Sequence, residues 1–159
     1  MKWSKLTDQT PPNAATLPLD QLNDEQWESL CDGCGRCCMS RFQDELTDDI
    51  FQTCIACNLY DRHTGLCRDY ENRQYWVPDC WKITKDNIAQ IAHWMPLTCA
   101  YRLRFEGKSL PQWHPLVSQN QDDKFLSGLM MRSQCVSEKE AEINGWEQYL
   151  VSIEHNVKL

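Results

Sequence analysis

A chain of 159 residues is long enough to bury a core without cross-links, so its 10 cysteines call for another explanation. A formal net charge of -7, from 16 basic and 23 acidic residues, excludes a broad phosphate-neutralising face, and no nucleic-acid partner is expected. No stretch approaches the ~20 apolar residues of a membrane span, and Met1 to Pro12 hold no apolar run of the kind a secretory leader needs. The expectation is a cytoplasmic chain with no membrane partner, where dense cysteine points to metal or catalysis rather than disulfides.

Residues 1–22 are polar and punctuated by Pro11, Pro12 and Pro18, and read as a loosely ordered N-terminal arm. Residues 23–159 read as a single cysteine-cluster domain. Asn23-Asp24-Glu25-Gln26 has capping-box form, and Leu22 and Trp27 stand where a hydrophobic staple would. A short helix to about Leu30 would deliver the chain directly into Cys31, with Trp27 and Leu30 in the core.

The next eight residues are Cys31-Asp32-Gly33-Cys34-Gly35-Arg36-Cys37-Cys38. Beyond them, residues 39–57 read as strand, turn and strand, a hairpin that returns Cys57 towards the loop. Gly65 marks a turn before Cys67, and residues 67–73 read as one or two helical turns, broken at Pro78 before Cys80. A helix is predicted over 84–94 with Thr84 as its cap, and another over 97–106 carrying Cys99, with Gly107 at its exit. Residues 108–136 look irregular, then extended through 129–135. Ser137-Glu138-Lys139-Glu140 is a second capping box, Gly145 interrupts the helix it opens, and 146–153 reads as a terminal helix. The expected fold is α+β: a small, irregular single domain of short helices plus a β-hairpin around a cysteine-rich metal site.

Two thiolates separated by two residues can curl around one soft ion, and glycine at 33 and 35 lets the backbone approach closely and take positive φ. Cys31, Cys34 and Cys37 repeat that spacing, as in ferredoxins that wrap a [4Fe–4S] cluster, but the fourth cysteine comes at once, as Cys38. Adjacent side chains point apart in extended backbone, so Cys37 and Cys38 are expected to serve different neighbours. Cys54 and Cys57 offer a second C-x2-C pair, and on spacing alone Cys31/Cys34 with Cys54/Cys57 would suit zinc. His93 reads as core and His114 as a structural hydrogen-bond partner of backbone, while His63 and His155 read as surface residues. Arg73 and Arg102 could donate to thiolate sulfurs or pair with acids such as Asp69 or Asp79. Asp32 and Asp79 read as loop-shaping residues.

The loop, together with Cys57, Cys67-Arg-Asp-Tyr70-Glu-Asn-Arg73, Val77-Pro78-Asp79-Cys80, Leu97-Thr98-Cys99-Ala100-Tyr101-Arg102-Leu103 and Leu110-Pro111-Gln112-Trp113-His114-Pro115-Leu116, resembles the CxxCxxCC cysteine-cluster family of bacteria. The resemblance runs from about Trp27 to about Trp146 and implies zinc or iron chelation. It implies eight ligands: Cys31, Cys34, Cys37, Cys38, Cys57, Cys67, Cys80 and Cys99. Cys54 and Cys135 lie outside that pattern and read as inert thiols, which favours Cys57 without Cys54.

The loop is then a hub supplying more than one place, with Cys57, Cys67, Cys80 and Cys99 arriving to complete the sites. The expected activity is metal binding, through a zinc or iron ion, without chemistry of its own. An iron–sulfur protein with redox or enzymatic activity, holding a [4Fe–4S] cluster, is the alternative. A thiol redox sensor using Cys37–Cys38 or Cys54/Cys57 is a further one. The metal ion is the expected partner, and the sequence names no protein partner.

Overall fold

In the computed structural model, which describes residues 12–155, the first capping box forms as its residues dictate. Asn23 accepts from the Gln26 backbone N–H at 2.8 Å, and the Gln26 side chain accepts from the Asn23 N–H at 2.9 Å. Two orphan donors are satisfied and α1 (Asp24–Ser29) starts there. The remaining helices are equally short: α2 (Arg73–Trp76), α3 (Ile88–Ile91), α4 (Ala100–Phe105), α5 (Pro115–Ser118) and α6 (Glu138–Asn144). The strands are β1 (Met39–Gln43), β2 (Ile50–Ala56), β3 (Tyr60–Asp61), β4 (Leu66–Cys67), β5 (Val136–Ser137) and β6 (Leu150–Glu154). The class is α+β with a hairpin, as expected. No helix among the described residues is long and apolar enough to cross a membrane. The part of the expected N-terminal arm before Pro12 lies outside the described residues.

The chain groups into two compact units, one from residues up to Gly33 with Gln74–Leu129, the other from Cys34–Arg73 with residues from Met130 onward. The first is helical. Residues of the expected arm contribute to it: Pro12–Ala15 and Leu19–Gln21 are 3-10 turns, and Ala14 and Leu22 are buried. Its core joins Leu22, Trp27, Leu30, Ile88, Tyr101, Leu110 and Leu116. The Trp27 and Tyr101 rings lie 5.0 Å apart, and the indole N–H donates to the Ile83 carbonyl at 3.0 Å. Burying each such side chain contributes roughly 1.5–3 kcal/mol. Arg104 donates to the carbonyls of Ala14 and Leu17, tying the early turns to α4.

The second unit is built on β2, which pairs with β1 along one edge. Along its other edge it pairs antiparallel with β6 near its start and parallel with β5 at its end. Trp146 stacks at 4.7 Å from Phe42 and 6.5 Å from Phe51, and Arg41 meets Glu154 at 2.8 Å. β3 and β4 form a small hairpin through Gly65, whose φ is 73°.

Six local expectations change. His93, expected in the core, is exposed, because Ile88, Ile91 and Ala92 hold the buried face there. Residues 67–73 do not form helical turns, because Cys67 is drawn into β4 opposite Tyr60 and the helix begins only at Arg73. The helix over 84–94 shrinks to α3 and a 3-10 turn at Ala92–Trp94. Asn87 accepts from the Thr84 N–H at 2.8 Å and donates to the Lys82 carbonyl at 2.7 Å, holding a turn where the helix would have started. Cys99 stands at the N-cap of α4, outside it. Residues 129–135 hold no strand, pairing comes only at Val136–Ser137, and residues 108–136 otherwise carry α5 and a 3-10 segment, Gln121–Ser127. The terminal helix over 146–153 is a 3-10 turn followed by β6, because Val151 and Ile153 follow strand alternation beside β2.

Candidate metal centre

The loop enters from the first unit. Leu30 is fully buried, and the His114 Nε2–H donates to its carbonyl at 2.9 Å. Nδ1 of the same ring accepts the Leu116 N–H at 3.1 Å, capping α5. A carbonyl only accepts and an amide N–H only donates, so both bonds together define the neutral Nε2–H tautomer. Burial, the largest influence, lowers the His114 pKa below its ordinary value, against the Leu30 bond and the nearby Asp32 charge. His114 thus anchors the residue before Cys31, the structural role expected of it.

Cys31 and Cys99 pack against the apolar cluster of the first unit. The Cys99 N–H bonds the Pro96 carbonyl at 2.9 Å, and the Cys80 N–H bonds Val77 at 2.9 Å. Arg102, 4% exposed, forms its ion pair with Glu106. Its Nε donates to Glu106 at 2.7 Å and its Nη1 to the Met95 carbonyl at 2.7 Å. Burial opposes the Glu106 carboxylate, but bonds from Lys108 and Arg102 outweigh it and hold its pKa below the usual range.

The second unit holds Cys34, Cys37, Cys38, Cys57 and Cys67 of the expected ligands. Gly33 and Gly35 take φ of 78° and 77°, the left-handed backbone their spacing implied. The turn Arg36–Cys38 leaves Cys37 exposed and Cys38 half-buried. The buried Gln52 amide donates to the Arg36 carbonyl at 3.3 Å, and the Met131 N–H to the Cys34 carbonyl at 2.8 Å, which fixes the loop from two sides. Cys38 and Cys57 continue the β1–β2 register, with the Cys57 N–H on the Cys38 carbonyl at 2.9 Å. Cys67 pairs with Tyr60 across β3–β4. Arg73 stacks on the Tyr70 ring at 3.8 Å and donates through Nη1 to its carbonyl at 2.6 Å, while Nη2 is buried without a hydrogen-bond partner among the described residues.

Tyr60 is the residue that sequence reasoning missed. It is buried with Met39, Ala56 and Met131, and Cys38, Cys54, Cys57 and Cys135 pack against that cluster. Its hydroxyl is buried with no hydrogen-bond partner among the described residues. Burial pushes its pKa well up, and Cys135, Cys38, Cys34 and Cys37 push it the same way. No short motif marks Tyr60; its one signal was its place three residues after Cys57. Cys54 and Cys135, expected to be inert, also sit at this cluster.

Among the described residues, no three Cys, His, Asp or Glu side chains converge closely enough to hold an ion as they stand. The donor set nonetheless fits a soft ion: it is rich in sulfur, and a buried O–H without a partner is costly unless something accepts from it. A ligating thiolate would be such an acceptor.

Residues 30–100 match the family described as "Putative zinc- or iron-chelating domain", CxxCxxCC. A UPF0260 protein of Gluconobacter oxydans is 46% identical over 136 residues, 86% of this chain and 83% of its own length. One from Rhizorhabdus wittichii is 48% identical over 126 residues, 79% of this chain and 86% of its own length. One from Proteus mirabilis is 41% identical over 137 residues, 86% of this chain and 91% of its own length. No solved structure matches. Identity at this level across most of both chains, together with the matched cysteine loop, means that the chain belongs to the UPF0260 family of CxxCxxCC proteins.

Proposed function

We propose that the protein is a metal chelator that holds zinc or iron through thiolates, and that its work is binding rather than catalysis. Cys34, Cys37, Cys38, Cys57 and Cys67 are the ligand candidates of the second unit; Cys31, Cys80 and Cys99 are those of the first. The observation that carries the reading is the Tyr60 hydroxyl, buried and unpartnered beside Cys34, Cys37 and Cys38. An O–H donor beside a thiolate strengthens its charged form and orients it, a role typical of residues behind metal ligands. A bound ion would supply charge neutralisation for several half-buried thiolates, and folding would be coupled to that binding. Such thiolates persist in a reducing compartment, which supports a cytoplasmic location.

Chelator challenge tests the reading. Removal of bound metal is expected to lower the melting temperature and flatten the near-UV CD of the tryptophan-rich protein. Unchanged melting and CD after complete metal removal would sink it. The C-x2-C-x2-C spacing of Cys31, Cys34 and Cys37 favours a second form, a [4Fe–4S] cluster, which would give brown protein absorbing near 400 nm (roughly).

A further inference from the structure

Cys54 and Cys135 belong to neither the eight-cysteine pattern nor any role derived above. Cys54 lies within β2, and Cys135 immediately precedes β5. β2 and β5 run parallel with Ile55 opposite Val136 and Ala56 opposite Ser137. One step back along the same register sets Cys54 opposite Cys135. Neighbouring strands lie about 4.8 Å apart, inside the roughly 4.4–6.8 Å Cα separation that a disulfide spans. Residues opposite each other on paired strands present their side chains to the same face, and both cysteines pack on one cluster, Met39, Ala56, Tyr60 and Met131. Both are half-buried free thiols. We propose that Cys54 and Cys135 form a site of reversible thiol–disulfide exchange, clasping β5 to β2 when a low-molecular-weight disulfide is present.

The step balances without another reagent. One cysteine, as thiolate, attacks a sulfur of the small disulfide, forming a mixed disulfide and releasing one small thiol. The second cysteine attacks the protein sulfur of that mixed disulfide and releases the second small thiol. The two cysteines are oxidised, the small disulfide is reduced, and the two cysteine protons end on the released thiols. Burial raises the pKa of both cysteines, which leaves little thiolate at neutral pH and makes exchange slow. The pairing differs from the Cys54/Cys57 arrangement suggested by spacing, because the backbone holds Cys57 against Cys38. The inference is independent of chelation, since neither residue is among the proposed ligands.

The test uses the full-length protein as purified, with its metal. It is incubated with oxidised glutathione for hours, quenched with an alkylating agent, digested, and mapped by mass spectrometry. The expected product is a peptide pair linked through Cys54 and Cys135, undone by a dithiol reductant, with metal content unchanged. Cys54→Ser and Cys135→Ser are each expected to abolish it and leave the remaining partner glutathionylated. Cys54 and Cys135 both alkylated while other cysteines cross-link would overturn the proposal. So would a linked pair that forms only as metal is released. The wild-type map decides the matter even if a serine variant folds poorly.

Discussion

A Cβ placed at Gly35 would stand 2.6 Å from the Tyr60 hydroxyl oxygen, and Gly35 itself sits at φ +77°. The cysteine loop therefore passes so close to the tyrosine that only glycine fits. Gly35→Ala is expected to destabilise the protein by about 2–3 kcal/mol, from strain plus displacement of a buried ring. Gly128→Ala is the control, because Gly128 has φ +70° and nothing within 4 Å. Thermal melts should show a clearly larger drop for Gly35→Ala; equal drops would mean that the contact with Tyr60 costs nothing.

Tyr60→Phe removes the orphan hydroxyl and little else. In metal-free protein it should leave the melting temperature unchanged or slightly raised, since an unpaired buried polar group is lost. In metal-loaded protein it should speed metal transfer to a competing chelator by about tenfold, the usual scale for a residue supporting a ligand. Stopped-flow metal release measures this, and equal rates for both proteins would remove Tyr60 from the centre.

Much of the fold around the site was legible because its signals are local. The capping boxes at Asn23/Gln26 and Ser137/Glu140 need only four residues each, and both form. The hairpin β1–β2 also follows from nearby residues, as does its return of Cys57 to Cys38. What was not legible depends on distant partners. β6 looks helical until β2, about a hundred residues earlier, supplies its pairing. Cys135 is an unremarkable thiol until the parallel β2–β5 ladder sets it beside Cys54. Tyr60 gains meaning only when Gly35 and the thiols are folded against it.

The buried Arg102–Glu106 pair makes a sharp stability test. Arg102→Met should cost roughly 3 kcal/mol, since it strips the buried partner from Glu106 and the donors from the Met95 and His93 carbonyls. Adding Glu106→Met should recover part of the loss, because the double variant no longer buries a carboxylate whose one remaining ionic partner is the exposed Lys108. Urea unfolding of both variants checks this; a double variant less stable than either single one would contradict it.

The pH dependence of stability should carry the signature of His114. Its pKa in the folded protein lies below the ordinary value of 6.5, and the unfolded chain has the ordinary one. Stability from this group is therefore complete above pH 6.5 and is lost as pH falls towards the folded value. His114→Asn, which can still accept the Leu116 N–H, should be less stable at pH 7 and should lose stability less steeply between about pH 6.5 and 5. Parallel slopes for variant and wild type would assign the acid sensitivity elsewhere.

The most direct test of thiolate chelation is metal analysis of anaerobically purified protein, with its visible spectrum, for the wild type and for Cys57→Ser and Cys67→Ser. Chelation predicts stoichiometric zinc or iron in the wild type and a marked fall in each variant, although both residues lie well outside the cysteine loop in sequence. Wild-type protein free of metal, or variants that keep the full wild-type content, would contradict it.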